Sequence, residues 1–110
     1  MVRAELTKSQ RRRIAELAGL AHQRELDAEL AKLEREFAKW RAGELSGYEL
    51  AALIQAFQQG PSRELANRYD RRFREFALAN AITRGVLTEA EAGPEILALL
   101  GPKLALSDSP

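Results

Sequence analysis

Trp40-Arg41-Ala42-Gly43-Glu44-Leu45-Ser46-Gly47-Tyr48-Glu49-Leu50 reads as the end of one helix and the start of the next. Gly43 can take the left-handed conformation that closes a helix without a Cβ clash. Ser46 can cap the following helix, and Glu49, three residues on, can reach back to complete a capping box. Leu45 before the cap and Leu50 after it have the spacing of a hydrophobic staple. The same pattern returns as Gly85-Val86-Leu87-Thr88-Glu89-Ala90-Glu91. These two corners divide the chain and predict its architecture. Neither carries chemistry.

Upstream of the first corner, no Pro occurs until Pro61. Thr7 and Ser9 are both placed to cap a helix, and Gln10 has capping-box spacing from Thr7. One helix is predicted from about Ser9 to about Ala42, roughly 50 Å long at ~1.5 Å per residue. Leu26, Leu30, Leu33, Phe37 and Trp40 step by four, three, four and three, an a/d seam. Ile14, Leu17 and Ala21 follow a different stripe, with Gly19 and His22 at the change of phase.

Downstream, Leu50, Leu53, Ile54 and Phe57 make the inner face of a second helix over 47–59, stopped by Gly60 and Pro61. A third helix is predicted from Pro61 or Ser62 to about Arg84. Its stripe of Leu65, Tyr69, Phe73, Phe76 and Asn80 is read as core. A platform for stacking bases would interleave its aromatics with Arg on an exposed face, and on a continuous helix these Arg residues fall on the other side. After the second corner, a helical turn over 89–92 ends at Gly93-Pro94. A short helix over 95–100 then ends at Gly101-Pro102, with the remainder frayed.

The expected fold is all-α: a long N-terminal helix plus two shorter helices forming a small bundle, with a short helical C-terminal extension. The boundaries are a flexible N-terminus (1–8), one helical domain (9–101) and a flexible tail (102–110). The expected core is Leu26, Leu30, Leu33, Phe37, Trp40, Leu50, Leu53, Ile54, Phe57, Leu65, Tyr69, Phe73 and Phe76, with Trp40 as anchor. A first helix of this length outruns the other two. Ile14, Leu17, Leu20 and Ala21 therefore read as a partner-binding face, most simply for a second copy in a two-fold dimer. The segment 96–100 is the intramolecular competitor for that role.

Composition excludes several classes. The 110 residues hold no Cys and a single His, so disulfides, thiolate chemistry and histidine-based metal sites are not expected. No apolar run approaches the roughly 20 residues that span a bilayer. The first residues are charged and lack the apolar core of a secretory signal, so the expectation is a cytoplasmic protein. The acidic middle of the first helix would be repelled by anionic lipid, so no membrane partner is expected. His22, Glu25 and Glu29 lie on one side of the first helix, but no second His completes a bundle metal site. The Gly43 corner lacks the oxygen ladder of a calcium loop. Ser46, Ser62 and Thr88 are better used as caps than as nucleophiles. No Gly-rich phosphate loop is present. No catalytic residue, cofactor or metal is expected, and the chain reads as a non-enzyme.

Net charge is +1, but the charge is blocked: basic to residue 24, acidic over 25–59, basic over 60–84, acidic beyond. Arg11, Arg12 and Arg13 fall in the first turn of a helix, where positive charge opposes the helix dipole. Arg63, Arg71 and Arg74 share the outward side of the third predicted helix. The expected function is that of a small interaction or adaptor protein, acting through self-association and a helical binding surface. The alternative is a nucleic-acid-binding regulator that uses these six arginines.

Overall fold

Both corners form as their residues dictate. The computed structural model describes residues 6–107, with side chains through Leu104. Gly43 has φ +80° and Gly85 φ +81°. At the first, Glu44 N–H donates to Lys39 O at 2.9 Å and Gly43 N–H to Trp40 O at 3.0 Å. At the second, Val86 N–H donates to Ala81 O at 2.9 Å and Gly85 N–H to Ile82 O at 3.1 Å. Each pair is a Schellman closure that uses up the carbonyls left over at a helix end. The following caps are reciprocal in both: Ser46 with Glu49, and Thr88 with Glu91.

Among the described residues the chain is all-α. The helices are α1 (Lys8–Arg41), α2 (Gly47–Phe57), α3 (Arg63–Arg68), α4 (Arg74–Thr83), α5 (Glu89–Ala92) and α6 (Pro94–Ser107). Thr7 and Gln10 exchange the cap bonds that open α1, at 2.9 and 3.0 Å. The flexible ends expected at 1–8 and 102–110 lie partly outside the described residues. Within them, α1 begins at Lys8 and α6 continues to Ser107.

The contacts group into two compact units. One holds α1 up to Ala21 together with the chain from Tyr69 onward; the other is His22–Arg68. In the first, α6 packs against α4 and α5. Its core is Ile14, Leu17, Ala18 and Ala21 of α1, Ala77, Leu78, Ala79, Ala81 and Ile82 of α4, then Leu87, Ala92, Ile96 and Leu100. Alanine lets helix axes approach closely, so this core is tight though its side chains are small. Glu95 accepts from Gln10 Nε2 at 3.0 Å, and the Glu91 carbonyl accepts from Arg13 Nη2 at 2.9 Å. No polar side chain is buried among the described residues.

The second unit is thinly covered. Leu50 and Leu65 are buried, while Leu26, Leu33, Phe37, Leu53, Ile54 and Phe57 are half-buried. The expected core is therefore corrected at Leu30, Trp40, Phe73 and Phe76, all exposed. Trp40, the expected anchor, is 44% exposed and meets Phe37 edge-on at 6.5 Å. Trp40→Ala should then lower stability by about 1–2 kcal/mol, the share of a half-covered ring. A fully buried ring would lose about 3–5 kcal/mol. Urea unfolding followed by circular dichroism separates the two, and a loss above about 3 kcal/mol contradicts the exposed placement.

Three predicted boundaries are corrected. Gly60-Pro61 does not end the second helix: a π-helical turn, Gln58–Ser62, carries α2 into α3. The wider turn accommodates a residue that lacks an N–H and whose ring crowds the carbonyl four residues back. The third predicted helix breaks at Tyr69-Asp70. Asp70 is extended, its Oδ1 accepts the Arg72 N–H at 2.9 Å, and a 3₁₀ turn (Arg71–Phe73) leads into α4. A short polar side chain that satisfies the backbone locally competes with continued helix. Finally, Pro102 lies inside α6 rather than ending it. The carbonyl it leaves without a helical donor belongs to Ala98, which is exposed and open to water.

The first cap also carries a pH dependence. Glu49 accepts the Ser46 N–H at 2.9 Å, and this bond, with the Ser46 hydroxyl, holds its carboxyl below the ordinary 4.5. Because the folded value lies below the unfolded one, this stabilisation is complete above the unfolded value and is lost as pH falls through the folded one. Glu49→Gln keeps the acceptor but does not titrate. Thermal unfolding should show the wild type losing more stability on acidification than Glu49→Gln; equal losses contradict the assignment.

Candidate functional site

The break at Asp70 decides where the cations of the first unit lie. Arg71 and Arg72 occupy the 3₁₀ turn, and Arg74 begins α4. With Lys8, Arg11 and Arg12 from the start of α1, and Lys103 from α6, they line a cleft of about 620 Å³. Leu6, Ile14 and Phe76 supply its apolar wall, and Glu75 is the one carboxylate among its lining residues.

Two of these cations are already engaged. Lys103 Nζ meets Glu75 at 3.1 Å, bridging α6 and α4. Arg72 Nε meets Asp70 at 2.9 Å. The Arg72 side chain and N–H hold the Asp70 carboxyl below the ordinary carboxylate range, and Asp70 in turn raises Arg72. Arg11 donates from Nη1 to Leu6 O at 2.7 Å, and both residues line the cleft. The first turn of α1 carries no acid, so the positive end of its dipole adds to the cationic side chains. Crowding cations around one concavity is electrostatically unfavourable in the empty state, and a bound anion relieves it.

Of the six arginines expected to contact nucleic acid, the cleft gathers Arg11, Arg12, Arg71 and Arg74. Arg13 is turned to the Glu91 carbonyl and to Glu16, at 3.5 Å. Arg63 opens α3, in the other unit. Lys8, Arg72 and Lys103 were not anticipated. The signal for Arg72 was present in Tyr69-Asp70-Arg71-Arg72, where Asp stands as a cap before a new helix. Lys103 carries no such signal, because Gly101-Pro102 before it reads as a helix stop.

Ile14, Leu17, Leu20 and Ala21, expected as a partner face, fall within the first unit. Ile14, Leu17 and Ala21 are buried within the first unit, and Leu20 is half-buried. That unit joins them to the chain from Tyr69 onward, which includes the competitor segment 96–100.

Apolar surface shows instead in the second unit. Tyr48 is 93% exposed, beside the Gly43 corner. A shallow groove is lined by Leu33, Leu53, Ala56, Phe57 and Pro61, with Glu29, Lys32 and Glu36 at its edge. Lys32 is paired with Glu29 at 2.6 Å and Lys39 with Glu36 at 2.8 Å.

The fold and the cleft define a small all-α protein with a concentrated cationic concavity. No family model, curated protein or solved structure matches the chain.

Proposed function

We propose that this protein binds nucleic acid through the cleft between the start of α1, the Arg71–Arg74 segment and Lys103, and that it acts by binding rather than by catalysis. The observation that carries this reading is convergence. Arginines about 60 residues apart in sequence line one concavity with two lysines and a single carboxylate. Arginine forks match phosphate oxygens, and clustered cations on one face are the electrostatic footprint of a phosphate backbone. The hydroxyls of Ser46 and Thr88 are occupied as caps, which supports the non-catalytic reading. Fluorescence anisotropy with a labelled oligonucleotide, titrated over a series of salt concentrations, tests it. The expected result is binding at low salt that weakens steeply and log-linearly with salt. Absence of binding at low salt, or binding indifferent to salt, sinks the proposal.

A second reading is self-association through residues 22–68, and it is supported by Leu30, Trp40 and Tyr48. They expose apolar and aromatic surface of the kind interfaces bury. Residues 25–59 are net acidic and 60–68 net basic, so a second copy is the occupant that the charge pattern fits. Sedimentation should show a dimer at micromolar concentration and a shift toward monomer in Trp40→Ala/Tyr48→Ala. A wild-type monomer removes this reading.

A further inference from the structure

Phe73 and Phe76 are one turn apart, and neither is core. Phe73 is 52% exposed and Phe76 47%. Phe76 lines the cationic cleft, and Phe73 lies between Arg72 and Arg74, which also line it. Each ring carries a cation on one face. The Arg72 guanidinium carbon lies 5.4 Å from the Phe73 centroid, and Lys103 Nζ lies 5.6 Å from the Phe76 centroid. A single exposed Phe needs no explanation, but two within one turn, set among phosphate-matching cations, do. Duplex DNA keeps its bases stacked inside and offers such rings only phosphate and sugar. A single strand offers base faces, and stacking on aromatics beside a basic groove is how such strands are held without sequence preference.

We infer that the cleft takes single-stranded nucleic acid, with bases stacked on Phe76 and Phe73 and the backbone held by the flanking cations. This rests on the nucleic-acid reading above and narrows it. The cation on one face of each ring fixes the ring and stands where the phosphate beside a stacked base needs a counter-charge. The half-exposed remainder of each ring is the surface a base can cover.

The test is anisotropy on the full chain with three probes: a labelled 12-nucleotide single strand, the same sequence as duplex, and vesicles of phosphatidylcholine and phosphatidylserine. The single strand should bind at least about tenfold more tightly than the duplex. Phe73→Leu/Phe76→Leu should weaken single-strand binding by roughly 5- to 150-fold for each base that stacks, leaving the duplex affinity and the salt slope unchanged. Phe73→Tyr/Phe76→Tyr should bind like the wild type, because stacking needs the ring; this pair also serves if the leucine variant melts early. Equal affinity for single strand and duplex, or a leucine variant that binds normally, overturns the inference and leaves the nucleic-acid reading standing. Vesicle binding tighter than strand binding, with the same dependence on both rings, overturns it in favour of a lipid surface. Failure of both nucleic acids to bind at low salt removes the reading beneath it.

Discussion

Leu78→Ala should lower the free energy of unfolding by about 3–5 kcal/mol, the upper part of the range for a leucine truncated in a tight core. Leu78 is fully buried in α4, where Ala77, Ala79, Ala81 and Ile82 are buried as well. A helix buried on nearly all sides cannot shift to fill a void without moving every neighbour. The cavity term therefore remains almost whole, and the loss should exceed that of Trp40→Ala although tryptophan is the larger residue. Small domains are stable by only about 5–15 kcal/mol in total, so a large fraction of this chain's stability is at stake. Urea unfolding followed by far-ultraviolet circular dichroism measures it. A loss below about 1 kcal/mol would mean that α4 is not enclosed as described.

Replacing Arg11, Arg12, Arg71 and Arg74 together by Gln should reduce the slope of log affinity against log salt by about 3, since each phosphate contact on a single strand contributes about 0.7. Low-salt affinity should fall by at least about 100-fold, because four charge-assisted contacts are lost at once. These four residues come from two segments distant in sequence and line one cleft. The matched control is Arg13→Gln/Arg63→Gln. Arg13 serves the Glu91 carbonyl and Arg63 lies in α3, so this pair should leave slope and affinity nearly unchanged. Equal effects from both sets would show a diffuse response to net charge and would remove the cleft from the account. The four arginines are exposed or half-exposed, so their loss should leave the melting temperature close to that of the wild type.

Local rules were legible wherever they stayed local. The two corners, with Gly43 and Gly85 in the left-handed region and Ser46 and Thr88 as caps, needed only residue types at fixed spacing. The all-α class, the opening of α1 at Thr7 and the turn of helix over Glu89–Ala92 followed from the same chemistry. Proline failed as punctuation at Pro61 and Pro102 because helical hydrogen bonding can be rearranged around a missing donor: by a wider turn at the first, by an exposed carbonyl at the second.

Residue chemistry alone set the helix class, the two corners and the presence of two arginine-bearing segments. Which apolar stripe became core was settled by packing between elements. Periodicity marks both stripes of α1 alike, but burial depends on what comes to cover them. The first unit joined Ile14, Leu17 and Ala21 to the chain from Tyr69 onward, whereas Leu30 and Trp40 stayed exposed. Only the structure, too, assembled the cleft. The Asp70 cap broke the third predicted helix and changed its phase. Tyr69 then stayed buried, while Phe73 and Phe76 came out among the arginines from which a continuous helix would have parted them. The Asp70 carboxylate that accepts the Arg72 N–H at 2.9 Å stands at this break, and of the expected core stripe Phe76 lines the cleft.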